Sequence, residues 1–319
     1  MMTIRPLASG ELERFALVAG RSAHAQDVQQ YLERLLARGC THLEWCVVLE
    51  EARKIIGTLI YWTLPAVGTP LDIVLLELPW ERPDYLTLGT SLLQHALSQM
   101  RTLGASEQIN HILDAPPIAP QWQYFPEQRM ELLEKMGFSL GRETLRFIWP
   151  VGEPTPAIPE RLTFRSLAEV GEAAFLEAIE RVSAQTFDRE IQRQREQDGP
   201  AAAARTLFEI VQQIGEVPAW WWQLAYTRAG GLVGLIMPAA NFTIGYIGVV
   251  PEQRGQGYID GLLACGTATL AGSAPRNLEA DTDVRNTPMA NAFRRAGWSQ
   301  VARRREYTVD LRAKALPQR

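Results

Sequence analysis

The residues with the plainest chemical potential lie at 247–263, IGVVPEQRGQGYIDGLL. An apolar run ends at Pro251, the set Arg254-Gly255-Gln256-Gly257 follows, and a helix-like stretch starts at Tyr258. A strand that ends in a glycine-rich turn and opens a helix can hold an anion. The first helical N–H groups lack intrahelical partners, and the helix dipole places partial positive charge there. Glycines let those amides close on phosphate oxygens with no Cβ in the way, and Arg254 would add a fork-shaped charged donor. A tight solvent-exposed turn would use the same residues, so the surroundings matter. Tyr258-Ile259-Asp260 follow Gly257, leaving no third glycine where the dinucleotide fingerprint needs one. Nor does Lys-Ser/Thr follow the glycines, as a P-loop requires.

A second group with acid–base potential lies downstream. Glu279, Asp281 and Asp283 alternate with Leu278, Ala280 and Thr282, and a period of two places the three acids on one face of a strand. They could collect an ammonium group or relay its proton, or form salt bridges with Arg285, Arg294 or Arg295. All four histidines (His24, His42, His95, His111) fall in the first half and read as ordinary surface or core residues. Trp220-Trp221-Trp222 reads as packing rather than a cation–π cage. Arg303-Arg304-Arg305 reads as a solvated strand face. Cys265, among Leu262, Leu263 and Ala264, reads as a packed thiol.

These groups are positioned by a plan that occurs twice. The segment VGEPTPAIPE at 151–160 holds three prolines and separates halves of similar length; such density cannot continue a helix or a central strand. Thr3-Ile4-Arg5-Pro6-Leu7-Ala8 matches Thr163-Phe164-Arg165-Ser166-Leu167-Ala168 at an offset of 160 residues. Leu133–Ser139 matches Phe293–Ser299 at the same offset. The expected organisation is a domain at 1–150, a linker at 151–160 and a second domain at 161–319. In the first half, helical spacing runs through 11–38 and 86–103, with strands at 44–49, 55–64 and 73–78. In the second half, helices are expected at 173–182, 201–214, 258–271 and 288–296. Strands are expected at 221–227, 232–237, 244–250, 278–284 and 301–309, with a hairpin turning at Ala229-Gly230-Gly231. The fold class is therefore α/β, with helices around mixed sheets, two sheets in all.

The pattern Val-x-Pro-x-x-Arg-Gly-x-Gly before an amphipathic helix resembles the acetyl-CoA loop of the GNAT (acyl-CoA N-acyltransferase) superfamily. Asn286 after the next strand, then Met289, Phe293, Gly297 and Trp298, resembles that family's second signature. The resemblance implies two tandem GNAT-like domains, each a mixed, mostly antiparallel sheet flanked by helices. It implies an acetyl-CoA (coenzyme A) site formed by Gly248, Val249, Val250, Arg254, Gly255, Gln256, Gly257, Tyr258, Asn286 and Phe293. Backbone N–H groups from Gly248 to Val250 would polarise the thioester carbonyl and hold the pantetheine arm. Where many members carry a tyrosine acid this chain has Phe293, so Tyr258 or Tyr307 substitutes, or water acts, or no acid is needed. Asp281 and Asp283 are the candidates for base or amine binding. The first half, LELPWERPDYLTLGTSLL at the matching place, puts Pro83 and Asp84 where donors and glycines are needed. It resembles a degenerate copy without cofactor binding, with a structural task or one in shaping the amine pocket.

Composition limits the partners. A net charge of −4 and a pI near 5.7 argue against nucleic acid. The most apolar run, IIGTLIYWTLPAVG, is broken by Gly57 and Pro65 and is too short for a membrane span. Cys40, Cys46 and Cys265 have no metal-like spacing and read as reduced thiols of a cytoplasmic protein, so no metal is expected. The leading reading is an N-acetyltransferase that moves the acetyl group of acetyl-CoA to a primary amine of a small molecule. Two others stay open: a non-catalytic acyl-CoA-binding protein, and an aminoacyl transferase of tandem-GNAT type, which the acidic charge and intact cradle disfavour.

Overall fold

The computed structural model describes residues 2–105, 107–273 and 277–312. These form two compact units, one running to Glu143 and resuming at Ala302, the other Thr144–Val301. The α/β architecture of two sheet-and-helix bodies expected from the sequence is the one observed.

In the first unit the chain runs β1 (Met2–Pro6), α1 (Leu12–Ala19), α2 (Ala25–Ala37), β2 (Cys46–Glu51), β3 (Lys54–Trp62), β4 (Asp72–Glu77), α3 (Tyr85–Thr102), β5 (Gln108–Ala115) and α4 (Pro126–Lys135). Strands β1 to β4 form an antiparallel meander, and β4 meets β5 in parallel at Asp72–Asn110 and Ile73–His111. Alternation along β2 divides the core. Cys46 and Val48 pack with Phe15, Val28 and Leu32 of α1 and α2, whereas Val47 and Leu49 pack with Leu88, Leu92 and Ala96 of α3. Both faces of the sheet are thus covered, which accounts for the near-continuous apolar runs of its strands.

The last strands of the two halves are exchanged. β6 (Ser139–Trp149) ends the first half, yet from Thr144 to Trp149 it pairs with β11 (Leu278–Asp283) of the second unit. β12 (Ser299–Asp310) ends the second half, yet from Arg303 it pairs with β5 of the first unit. The chain halves and the compact units therefore differ by one strand each. Both strands follow the same repeated Gly-aromatic-Ser phrase at the same offset, so either can complete the sheet of either copy.

The second unit otherwise holds β7 (Leu162–Ser166), α5 (Leu167–Val182), α6 (Arg189–Asp198), α7 (Pro200–Gln213), β8 (Gln223–Thr227), β9 (Leu232–Pro238), β10 (Ile244–Val249), α8 (Tyr258–Ala271) and α9 (Thr287–Arg295). Strands β7 to β10 form an antiparallel meander with β10 at its edge. Its core joins Phe175 and Ile179 of α5, Phe208 of α7, Leu262 and Leu263 of α8, and Phe293 of α9. Ser166 opens α5 with a reciprocal capping box: its amide and hydroxyl both donate to Glu169, at 2.7 Å each. Trp221 and Trp222 are core residues, as expected, and Trp220 is exposed.

Candidate functional site

The geometry that matters is at β10. On one side it pairs with β9. On the other it meets β11 through a single parallel bridge, Thr243–Glu279, where the Glu279 amide donates to Phe242 O (3.1 Å). Beyond that bridge no ladder joins β10 to β11 among the described residues, and β11 pairs instead with β6. The register of β10 shifts at Gly245, and a bulge of this kind turns a strand away from its neighbour. β10 therefore carries an edge of unladdered amides, and a short 3-10 turn at Pro251–Gln253 joins it to the glycine turn.

Alternation decides which amides face that edge. Val250 N–H donates to Val233 O at 2.9 Å, so Val250 and Gly248 face β9, and Val249 turns its amide the other way. Of the three expected donors, Val249 alone is placed for a ligand; Val250 and Gly248 are corrected to ladder residues. Gly248 is glycine for packing, because a Cβ there would lie 2.3 Å from Val182 Cγ1 of α5.

The turn itself has the expected form. Gly255 and Gly257 take φ of +75° and +70°, in the left-handed region, and a Cβ on Gly255 would meet nothing within 4 Å. Gly257 is the N-cap of α8 and supplies no side-chain cap, so the first-turn amides, beginning at Tyr258, are left to a ligand or solvent. Arg254 does not serve as an anion donor. Its Nε donates to Val249 O (3.1 Å), Nη1 to Gln185 O (3.1 Å), and Nη2 to Val182 O (2.9 Å) and Ala184 O (2.8 Å). It ties the turn to the end of α5, and burial lowers its pKa. The cation at the turn is Arg161, from the end of the proline-rich segment. Its Nη1 donates to Gln256 O (3.0 Å), its guanidinium lies 4.5 Å from the Tyr258 ring centroid, and its Nη2 is 3.4 Å from where a Gly257 Cβ would stand. Nothing in its spacing marked it, since it lies 94 residues before the first glycine.

Asn286 caps α9 through Oδ1, which accepts from Met289 N (3.2 Å); its amide NH₂ has no acceptor among the described residues. Phe293 is a core residue at 1% exposure, with ring centroids 4.9 Å from Phe147 and 5.4 Å from Trp298, so it is corrected from cofactor contact to packing. Tyr307 is buried in the first unit's core, where burial raises its pKa, and it cannot serve this site. Tyr258, the other candidate acid, stands under Arg161 at the glycine turn.

The acids of β11 are engaged by β6. Arg146 Nε and Nη2 grip Asp281 at 3.0 and 2.6 Å, and Nη1 reaches Glu279 at 3.1 Å. Asp281 is thus the partner of a facing cation rather than a poised base, and the partner is Arg146 instead of the downstream arginines expected. Asp283 is buried and accepts the backbone amides of Arg285 (2.8 Å) and Arg189 (3.3 Å), holding the start of α6 against the end of β11.

Sequence reading missed a polar cavity of about 390 Å³ lined by residues from the α5–α6 turn and from α6, among them Ser183, Thr186 and Arg195. It also missed Tyr246. By alternation Tyr246 shares the face of Gly248, toward α5. Burial pushes its phenol well above the ordinary tyrosine range; the negative charge of Asp188 adds to this, and Arg254 and Arg195 oppose it. The phenol is therefore protonated at physiological pH.

The corresponding place in the first unit is filled. Arg82 pairs with Asp84, the N-cap of α3, at 2.7 Å and with Glu51 at 2.8 Å. Arg129 of α4, 1% exposed, donates to Leu76 O of β4, to Tyr124 O (2.6 Å) and to buried Glu77, and lies over the Trp80 ring.

No protein-family model matches the chain, and no curated protein matches it. Solved structures do. A GCN5-related N-acetyltransferase from Sphaerobacter thermophilus aligns over 98% of this chain and 97% of its own, at 20% identity and a TM-score of 0.58. A GCN5-related glucosamine N-acetyltransferase region in a fungal multi-domain β-N-acetylglucosaminidase aligns over 97% of this chain and 38% of its own (13% identity, TM-score 0.54). A tandem GNAT protein from the clavulanic acid pathway aligns over 99% and 100% (18%, TM-score 0.48). At these identities the likeness is one of fold: the chain has the GNAT fold over its whole length.

Proposed function

We propose that the chain is an acetyl-CoA-dependent N-acetyltransferase acting on a primary amine of a small molecule. The observation that carries this reading is the unladdered edge of β10, followed after one short 3-10 turn (Pro251–Gln253) by two left-handed glycines at the start of α8. One long ligand with an anionic middle and an acyl end matches that path. The amides around Gly255, Gln256, Gly257 and Tyr258, with Arg161 beside them, would hold the pyrophosphate. Val249 N–H and the Asn286 NH₂ would hold the pantetheine arm and polarise the thioester carbonyl. Arg254 would keep the turn in register, acting through backbone carbonyls rather than on the ligand.

In the reaction the acceptor nitrogen forms a bond to the acyl carbon and the C–S bond breaks. The amine loses a proton to solvent and the leaving thiolate gains one. With Phe293 where a tyrosine acid would stand, the thiolate takes that proton from solvent. The first half, 1–150, would serve as scaffold, its own cleft being occupied by Arg129 and its helix start by the Arg82–Asp84 pair. A chain whose acids are ion-paired could also bind acyl-CoA without turnover, and one experiment separates the two readings. Calorimetric titration with acetyl-CoA should give a Kd of tens of micromolar or tighter, and thiol release should follow on adding amines. Binding without release would leave the binding protein; no binding would remove both.

A further inference from the structure

The cavity of about 390 Å³ at the α5–α6 turn and α6 is within the usual range of small-molecule sites, roughly 300–1,000 Å³. Its walls include Ser183, Gln185, Thr186, Gln192, Arg195 and Glu196. Arg195 is half-buried and anchored on one side only: Nη1 donates to Glu180 O (2.9 Å) and Ser183 Oγ (2.7 Å). Its Nε and Nη2 have no acceptor, and no carboxylate lies within ion-pair distance of it, among the described residues. Arg146, Arg181, Arg205 and Arg295 of this unit each face an acid. A partly desolvated guanidinium without a counter-ion is costly unless a ligand supplies one. The Nε/Nη2 edge is the one that grips a carboxylate in bidentate fashion.

Two further observations bear on the cavity. Gln185, on its wall, holds φ of +53°, a conformation disfavoured for a side-chain-bearing residue, and its carbonyl is fixed by Arg254. Gln185 O on that wall and Val249 O of β10 both accept from Arg254, at 3.1 Å each, so one guanidinium joins the cavity to the proposed acyl-transfer edge. Glu196 offers a carboxylate on the rim, with no ion-pair partner among the described residues.

We propose that this cavity receives the acceptor, and that the acceptor is an amine bearing a carboxylate, an amino acid or a close relative. Its carboxylate sits on the Nε/Nη2 edge of Arg195 and its ammonium is drawn in by Glu196. The proposal rests on the reading that β10 presents an acyl thioester. The overall change is balanced: ammonium and acyl thioester give amide, free thiol and one proton released to solvent.

The test uses the full chain and matched amines that differ in the carboxylate alone: L-lysine against cadaverine, and β-alanine against ethylamine, with O-phosphoethanolamine as a phosphate-bearing control. Acetyl-CoA binding is first measured by titration. The carboxylate member of each pair should show kcat/KM roughly 10- to 100-fold higher, mainly through KM, and should bind more tightly in calorimetry with coenzyme A present. Arg195→Lys keeps the charge and loses the fork, and should bring that ratio down about tenfold; Arg195→Gln should bring it toward one. Acetyl-CoA affinity and the thermal midpoint check that both variants stay folded. Equal rates within each pair, a preference for the phosphate, or an unchanged ratio in Arg195→Gln would overturn the proposal. Acetyl-CoA binding with no turnover of any probe would overturn it as well and leave the cofactor site standing. Absence of acetyl-CoA binding would reject the underlying acyl-transfer reading instead.

Discussion

A single position, Gly257, tests the glycine turn with charge, shape and stability separated. Its φ is +70°, and a Cβ there would lie 3.4 Å from Arg161 Nη2, an ordinary contact with a movable group. An L-residue in the left-handed region costs about 1–2 kcal/mol, and Asn and Asp tolerate it best. At the N-cap of α8 glycine is itself well tolerated, so Asn or Asp would gain only about a few tenths of a kcal/mol of capping. Gly257→Asn and Gly257→Asp should therefore both fold, with thermal midpoints within a few degrees of the parent. Their affinities for acetyl-CoA should part. A carboxylate about 4 Å from a phosphate charge, at an effective dielectric near 20, is opposed by about 4 kcal/mol, or ~10³-fold in Kd. Arg161 would neutralise part of that charge, so the expected loss for Gly257→Asp is about 10²-fold or more, against about tenfold or less for Gly257→Asn. Calorimetric titration measures both, and raising the salt should narrow the gap. Equal affinities for the two variants, or parental affinity for Gly257→Asp, would refute the placement of phosphate at this turn.

Two other perturbations probe the supports. Arg254→Gln deletes most of four hydrogen bonds that link the turn to the α5–α6 segment, and should lower stability by about 2–4 kcal/mol in denaturant titrations. It should weaken acetyl-CoA binding and raise the acceptor KM together, because one guanidinium braces both walls. In the first unit, His111 Nδ1–H donates to Ile73 O (2.7 Å) and Nε2 is buried without a partner, so burial pushes its pKa down to about 4. The folded value lies below the unfolded value of about 6.5, so its contribution is intact above pH 6.5 and is lost as pH falls toward 4. That amounts to about 3 kcal/mol. Urea midpoints between pH 7 and 4 should fall less steeply in His111→Gln, and identical slopes would remove His111 as the source.

Periodicity and glycine chemistry made much of the fold legible. The helix at Tyr258–Ala271 has the bounds its apolar spacing predicts, and the glycine turn stands where the motif puts it. What stayed hidden shares one cause: its partners are remote in sequence and carry no pattern. Helix α6, REIQRQREQD, buries no residue, so no apolar period announces it, yet it brings Arg195 to the cavity. Arg254 sits in the motif and reads as a phosphate ligand until its four carbonyl acceptors are seen. Arg146 reaches Asp281 only because β6 has crossed into the second unit, an exchange two equivalent terminal phrases permit and cannot signal.

The comparison of the two copies shows how little separates a cleft from a core. At the repeat offset of 160, Met289 in the second copy stands where the first has Arg129. Met289 lies in the hydrophobic cluster beneath α9, and its thioether side chain has no hydrogen to donate. Arg129 crosses to the carbonyl of Leu76 on β4 and to Glu77, filling that cleft with a buried ion pair. Once such a pair forms, removing either member leaves the other charge buried, at about 3–5 kcal/mol. The first cleft is thus closed by a side chain of its own fold. It would stay closed to a long anionic ligand even if the Pro83–Asp84 turn were replaced by glycines. If the first copy binds no coenzyme A, as proposed above, the plug at Arg129 would suffice to exclude it without any change in the glycines.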